Sequence, residues 1–152
     1  MEEEFNVGNC RADLAKYIEV GACNGNVVGS IKKGEFFAPV ECEIIDYKES
    51  LPQDAFALAK VIRHIVAFYN TFGGYLVFGV RETIPEQEFR LVGCETEKLD
   101  VKQVKDKIYS YIGSHISITA WNFSYEDGKS VLLIFVPSSV SDFPLDMNVP
   151  HR

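Results

Sequence analysis

Hydrophobic spacing divides the chain into stretches that repeat every 3.6 residues and stretches that repeat every two. Residues 53–70 carry the clearest helical pattern. Ala55, Leu58, Val61, Ile62, Ile65, Val66 and Tyr69 follow the i, i+3, i+4, i+7 template, which places Lys60, Arg63 and His64 on the opposite face. Pro52 suits a first turn, and Asp54 complements the N-terminal helix dipole. A second helix is predicted over 100–113 from Val101, Val104, Ile108, Tyr111 and Ile112, with Asp100 as N-cap and Gly113 as stop. A shorter one over 10–20 rests on Leu14, Ala15 and Ile18.

Strand patterns fill the intervals. Residues 40–48, VECEIIDYK, place Glu41, Glu43 and Ile45 on one face and Cys42, Ile44 and Asp46 on the other. The alternation is imperfect and predicts a bulge or bend. Residues 75–81, YLVFGVR, are nearly all apolar and predict a central strand. Further strands are predicted at 88–92, after a turn at Pro85, and at 115–125 and 130–136 around the hairpin signal Asp127-Gly128. Residues 21–36 hold four glycines and two asparagines and predict mostly loop or a short hairpin. The resulting class is α+β: a mixed, mainly antiparallel sheet with two main helices packed on one face.

Composition narrows the function classes. At 152 residues and 47% apolar content the chain suits one ordinary domain. No apolar run approaches the ~18 residues of a membrane span, and the acidic N-terminus lacks the apolar region of a signal peptide. Cys10, Cys23, Cys42 and Cys94 form no C-x-x-C pair, so reduced thiols of a cytoplasmic protein are expected, with no membrane partner. The net charge of −7 argues against coating nucleic acid by bulk electrostatics and requires a local basic patch for any such contact. The tail after residue 138 has two prolines, Pro144 and Pro150, and no periodicity, so it predicts a linker into a further domain.

Three groups of residues carry candidate chemistry. Carboxylates are depleted from strands, so Glu41, Glu43 and Asp46, followed by Lys48 and Glu49, stand out. Clustered carboxylates raise one another's pKa, a cost that Mg²⁺ or Mn²⁺ removes. Such ions can activate water and stabilise a phosphodiester leaving group, and Lys48 suits a phosphate. The plainer alternative is an edge strand guarded by charge. Asn70-Thr71-Phe72-Gly73-Gly74 reads as a helix cap and tight turn, or as backbone that approaches a phosphate or sugar, with Asn70 and Thr71 adding hydrogen bonds. It is no Walker loop. Lys60, Arg63 and His64 form either a solvated helix face or a basic patch. The three histidines show no ligand or triad spacing, and Trp121 reads as core.

In chain order these groups resemble the AlbA-like domain of the Schlafen family over about residues 40–138. Glu41 and Asp46 match that family's two acids, Tyr47 its aromatic and Lys48 its lysine. Ala67, Phe68, Asn70, Thr71, Gly73, Gly74, Gly79 and Val80 match the motif that ends the helix and the next strand. The resemblance implies a nucleic-acid-binding module at the N-terminus of larger, regulatory or defence proteins. In some animal relatives the same pocket is an endoribonuclease with three carboxylates. Here Arg81 stands in the third place and Glu82 follows it.

Three expectations follow. The first is RNA or DNA binding through Lys48, Arg81 and the backbone from Asn70 to Gly74, with Lys60 and Arg63 beside them. The second is a metal-dependent ribonuclease using Glu41, Asp46 and Glu82, with Mg²⁺ or Mn²⁺ on Glu41 and Asp46. The third is an interaction or homo-oligomerisation domain, which the negative charge favours. The expected organisation is an N-terminal extension over 1–39, the AlbA-like domain over 40–138, and a linker over 139–152.

Overall fold

The computed structural model describes residues 5–125 and 127–139. Helix α1, Val7–Glu19, starts three residues before its apolar spacing predicts, because the Asn6 side chain accepts from Asn9 N–H and caps it. The turn-rich segment folds more than its composition suggests. Asn24 caps a short helix α2, Gly25–Gly29, which buries Val27 and Val28, and a hairpin follows in β1, Lys32–Lys33, and β2, Phe36–Phe37.

Helix α3, Ala55–Tyr69, is capped by Asp54, whose side chain accepts from Ala57 N–H at 2.8 Å. Pro52 therefore precedes the helix. Helix α4, Val101–Ile112, runs from its Asp100 cap to a left-handed Gly113 with φ 71°. The remaining strands are β3 Ile45–Lys48, β4 Gly74–Phe78, β5 Val80–Ile84, β6 Glu88–Leu91, β7 Thr119–Ser124 and β8 Ser130–Val136.

The strands form two four-stranded sheets, ordered β1-β2-β6-β5 and β3-β4-β8-β7. Among the described residues β3–β4 is the only parallel pair. Three expected strands are corrected. The one expected over 115–125 is strand only over Thr119–Ser124. The stretch 75–81 breaks at Gly79, whose φ of 111° turns the chain out of one sheet and into the other. A Cβ there would stand 2.9 Å from the Ser130 carbonyl oxygen, so the turn needs glycine. The stretch 40–48 is strand only from Ile45. A tight turn precedes it, in which Cys42 N–H donates to Ile45 O at 3.1 Å.

The second sheet is apolar on both faces. Ile45, Tyr47, Tyr75, Val77, Leu133 and Phe135 pack with Leu14, Val27, Ile31, Phe37 and Phe89. Leu76, Phe78, Leu132, Ile134 and Val136 pack with Val61, Ile62, Ile65 and Phe68 of α3 and Val104 and Ile108 of α4. Helices α3 and α4 thus cover one face, while α1, α2 and the first sheet cover the other. Each fully buried aliphatic side chain in these layers contributes about 1.5–3 kcal/mol. Residues 5–39 share their core with the family-like strands. The expected linker lies, from residue 140 on, outside the described residues. All four cysteines are free thiols. Among the described residues, no helix is long and apolar enough to cross a membrane.

Candidate functional site

The site begins at the exposed edge of β3. Tyr75 N–H donates to Ile44 O and Gly79 N–H to Lys48 O, so the even-numbered carbonyls of this stretch face β4. Tyr47 N–H faces outward, and the Glu41 carboxylate accepts from it at 2.8 Å. The turn at 42–45 folds Glu41 back along the strand and brings its carboxyl to Asp46. On a straight strand the two would point to opposite faces. The bend signalled by the faulty alternation is what unites them.

Strand β5 supplies the facing wall. Its register pairs Val80 with Leu91 and Glu82 with Phe89, so Val80 and Glu82 share one face. Glu41, Glu49 and Glu82, with Tyr47, Val80 and Phe89, line an open pocket of about 290 Å³. Desolvation is the largest cause pushing the Glu41 carboxyl up to about 7. Asp46 and Glu82 push the same way, and the Tyr47 N–H opposes them. The Glu41 residue as a whole is solvent-exposed, so it is the carboxyl end, tucked against the strand, that feels the desolvation. Glu82 also accepts from Glu86 N–H at 2.6 Å, which ties it to the β5–β6 turn.

Asp46 points to the helical face of the sheet. One carboxylate oxygen lies 3.0 Å from Lys48 Nζ and 3.3 Å from His64 Nδ1 of α3. That oxygen is buried and takes no well-aligned hydrogen bond, so it holds Lys48 by charge rather than by directed bonding, and the imidazole only lies beside it. Burial holds the His64 imidazole below its ordinary pKa, with Lys48 and Arg63 adding to the shift and Asp46 opposing it. His64 is therefore neutral near pH 7.

The outer face of α3 runs on from His64. Phe56 is 69% exposed, and Lys60 Nζ lies 4.9 Å from its ring centroid. Phe56, Lys60 and Arg63 sit at i, i+4 and i+7 and so form one stripe. Among the described residues neither Lys60 nor Arg63 has a carboxylate in ion-pair reach. Arg81 differs: its guanidinium meets Glu49 at 2.8 Å, and the register puts it on the opposite face of β5 from Glu82. Arg81 reaches the acid pocket only through Glu49.

The Asn70–Gly74 corner lies elsewhere. It enters β4, whereas Arg81 lies beyond the exit of that strand, and the span from Gly74 to Phe78 is about 13 Å. Gly73 N–H donates to Phe68 O at 2.8 Å, and Thr71 Oγ1 donates to Ala67 O at 2.8 Å. A Cβ on Gly73 would stand 2.8 Å from Val136 O, and one on Gly74 2.7 Å from Phe68 Cδ1 and 2.8 Å from Ile44 O. The close backbone approach that these glycines permit is to the protein's own chain. Asn70, Thr71, Gly73 and Gly74, expected to bind nucleic acid together with Arg81, therefore stand at the opposite end of β4 from it.

For a metal, the geometry does not fit as arranged. Among the described residues, no three of His, Cys, Asp and Glu are grouped to hold an ion. Asp46 is engaged by Lys48, with His64 beside it.

Of three further contributors, His64 and Glu49 belong to groups noted from sequence but without their partners, and Phe56 alone was not singled out. His64 lacked motif spacing, although it lies on the helix face whose charges were noted. Glu49 follows the strand and meets Arg81 only through the fold. Phe56 did leave a signal: it is a large apolar residue off the buried stripe of its own helix.

An α+β domain with an acid-lined strand edge beside a basic helix face is the class that this geometry defines. The family model for Schlafen, AlbA_2 matches residues 41–146, and the chain belongs to that family. Among solved structures it is similar to the N-terminal domain, determined by solution NMR, of a protein from Nitrosomonas europaea described as related to the ATP-dependent DNA helicase RecG. That match is 25% identical, has a TM-score of 0.39, and covers 62% of this chain and 62% of that one. No curated protein matches the chain.

Proposed function

We propose that this domain binds nucleic acid along the outer face of α3 and the adjoining rim of β3. Lys60, Arg63 and Lys48 hold phosphates, and an unpaired base rests on Phe56. The observation that supports this reading is the stripe Phe56–Lys60–Arg63, an exposed ring followed by two cations that no carboxylate neutralises among the described residues. Elsewhere on the described surface many cations are paired: Arg81 with Glu49, Arg90 with Glu35 and Glu88, Lys98 with Glu95. The net charge of −7 confines favourable contact to such a patch. Stacking on one ring is worth about 1–3 kcal/mol and is possible only for unstacked bases, so single strands are favoured over duplexes.

Fluorescence anisotropy with labelled single- and double-stranded RNA and DNA tests the reading. The expected result is binding that weakens as salt rises, weakens in Lys60→Glu/Arg63→Glu, and in Phe56→Ala is reduced more for single strands than for duplexes. Absence of binding at about 50 mM salt, where phosphate contacts are strong, would overturn it.

A second reading is favoured by one observation. A carboxyl pushed up to about 7, with Glu82 beside it in an open pocket and Asp46 within reach at the strand edge, is matched to general-base work at neutral pH. Under it the domain cleaves phosphodiesters at Glu41, Asp46 and Glu82. The same oligonucleotides, incubated with Mg²⁺ or Mn²⁺, decide between the two. Cleavage that is lost in Glu41→Gln and Asp46→Asn supports the nuclease, and intact oligonucleotide that stays bound supports the binding module.

A further inference from the structure

Sheet edges are templates for pairing with another chain, and native proteins guard them with charge, proline, bulges or short length. Three of the four edges described here are guarded. Strand β1 is two residues long, and both are lysines. Strand β5 carries Arg81 and Glu82, a bulge between Glu82 and Ile84, and Pro85 beyond it. Strand β3 has its outward Tyr47 N–H taken by the Glu41 carboxylate.

Strand β7 has none of these devices. Its six residues, Thr119-Ala120-Trp121-Asn122-Phe123-Ser124, include no charge and no proline, and it pairs with β8 alone in regular register. The Tyr125 N–H bond to Lys129 O at 2.8 Å fixes which pairs exchange hydrogen bonds. By the alternation of an antiparallel ladder these are 125 with 129, 123 with 131, 121 with 133 and 119 with 135. The N–H and C=O groups of Ala120, Asn122 and Ser124 therefore point away from the sheet, and among the described residues nothing bonds to them.

We infer that β7 is a self-association edge, and that two copies of this chain pair through it antiparallel about Asn122. The strand is complementary to itself in that register. Ala120 falls opposite Ser124 of the second copy and Asn122 opposite its own counterpart, so small or neutral polar side chains meet on one face. On the other face Trp121 falls opposite Phe123 of the second copy, in the closer, non-hydrogen-bonded kind of pair. Aromatic cross-strand pairs are among the most stabilising in sheets. Trp121 and Phe123 already stack within one chain, with centroids 4.9 Å apart, so pairing extends the row to both copies. About six backbone hydrogen bonds would form. No like charges meet across the strand pair, in spite of the net charge of −7 per chain. The two four-stranded sheets would join into one that is continuous across the dimer. This inference is independent of the nucleic-acid reading.

The test is molar mass against concentration for the whole chain, by sedimentation or light scattering, from micromolar to submillimolar. The expected result is a mass that rises from one chain toward two. Asn122→Pro removes an outward N–H that β8 does not use, and it should stay monomeric at every concentration with an unchanged circular dichroism melt. Should that variant misfold, Asn122→Lys sets two charges face to face and should also stay monomeric. The register has its own readout. Hydrogen-bonded partners lie about 5.5 Å apart at Cα, within disulfide range. Mild oxidation should therefore link Asn122→Cys into a covalent dimer, and should leave Ala120→Cys and the parent protein unlinked. A parent mass independent of concentration, an Asn122→Lys variant that dimerises like the parent, or failure of Asn122→Cys to cross-link would each overturn the inference.

Discussion

At the Asn70–Gly74 corner the fold uses nearly everything the motif offers. The Gly73 N–H, the Thr71 hydroxyl and the space where both glycine side chains would be are taken by Phe68, Ala67, Val136 and Ile44. At the β3 edge the opposite holds. Asp46 and Glu82 each press on Glu41, whose carboxyl is pushed up to about 7, chiefly by desolvation. Both stretches are equally unusual as sequence. The difference teaches that a rare pattern reports a constraint but not its kind. A glycine that admits backbone implies a close neighbour, and that neighbour can belong to the same chain. Carboxyls gathered at a cost have no such internal reason.

The largest effect expected from this contrast is at Gly74. Adding one methyl in Gly74→Ala would put it 2.7 Å from Phe68 and 2.8 Å from a backbone oxygen that cannot swing aside. The loss should be about 2–3 kcal/mol of stability by urea unfolding, with the affinity of the remaining folded protein for nucleic acid unchanged. A variant of normal stability that binds poorly would reverse the comparison and make the corner a ligand site.

The α3 stripe should show the converse. Lys60→Glu/Arg63→Glu should weaken single-stranded binding at least tenfold, about 1.4 kcal/mol, while changing stability by no more than ~0.5 kcal/mol. Losing two phosphate contacts should also lower the slope of log affinity against log salt by about 1.4. An unchanged slope would mean that the phosphates are held elsewhere, and Arg81 once freed from Glu49 is the next cation to change.

Much of this was legible before any coordinates. The 3.6-residue stripe of α3, the Asp100 cap and the Gly113 stop are local signals, and local signals survive folding. The α+β class followed from their order, and the family from the motif between Glu41 and Val80. What was not legible depends on long-range placement. Gly79 splits one apolar run between two sheets, and nothing near it in sequence separates a bend from a continued strand. Glu41 and Asp46 meet only because Cys42 and Ile45 close a turn. Arg81 pairs with Glu49 across 32 positions of sequence. Asn24 shows a different kind of failure: one side-chain cap was enough to order a short helix in a segment read as mostly loop or a short hairpin, of which the hairpin is present.

The smallest effect sharpens the acid side of the comparison. A carboxyl at about 7 in the folded chain, against about 4.3 when unfolded, keeps its proton in the native state over a window where the unfolded state has lost it. The native state then binds more protons, so stability falls as pH rises from about 4.5 through 7. His64 works the other way, since its folded pKa is depressed and its share of the stability is recovered as pH rises past its unfolded value. The parent profile mixes the two, and Glu41→Gln separates them. The amide still accepts from Tyr47 N–H but carries no charge, so the variant should gain on the parent above pH 7 and match it near pH 4.5. The carboxyl is about half solvated, so the gain should be no more than ~1 kcal/mol. Thermal melts of both proteins across that range measure it. Parallel profiles would mean that neither desolvation nor the neighbouring Asp46 and Glu82 raises the Glu41 carboxyl in the folded chain, and the β3 edge would then be as self-satisfied as the glycine corner.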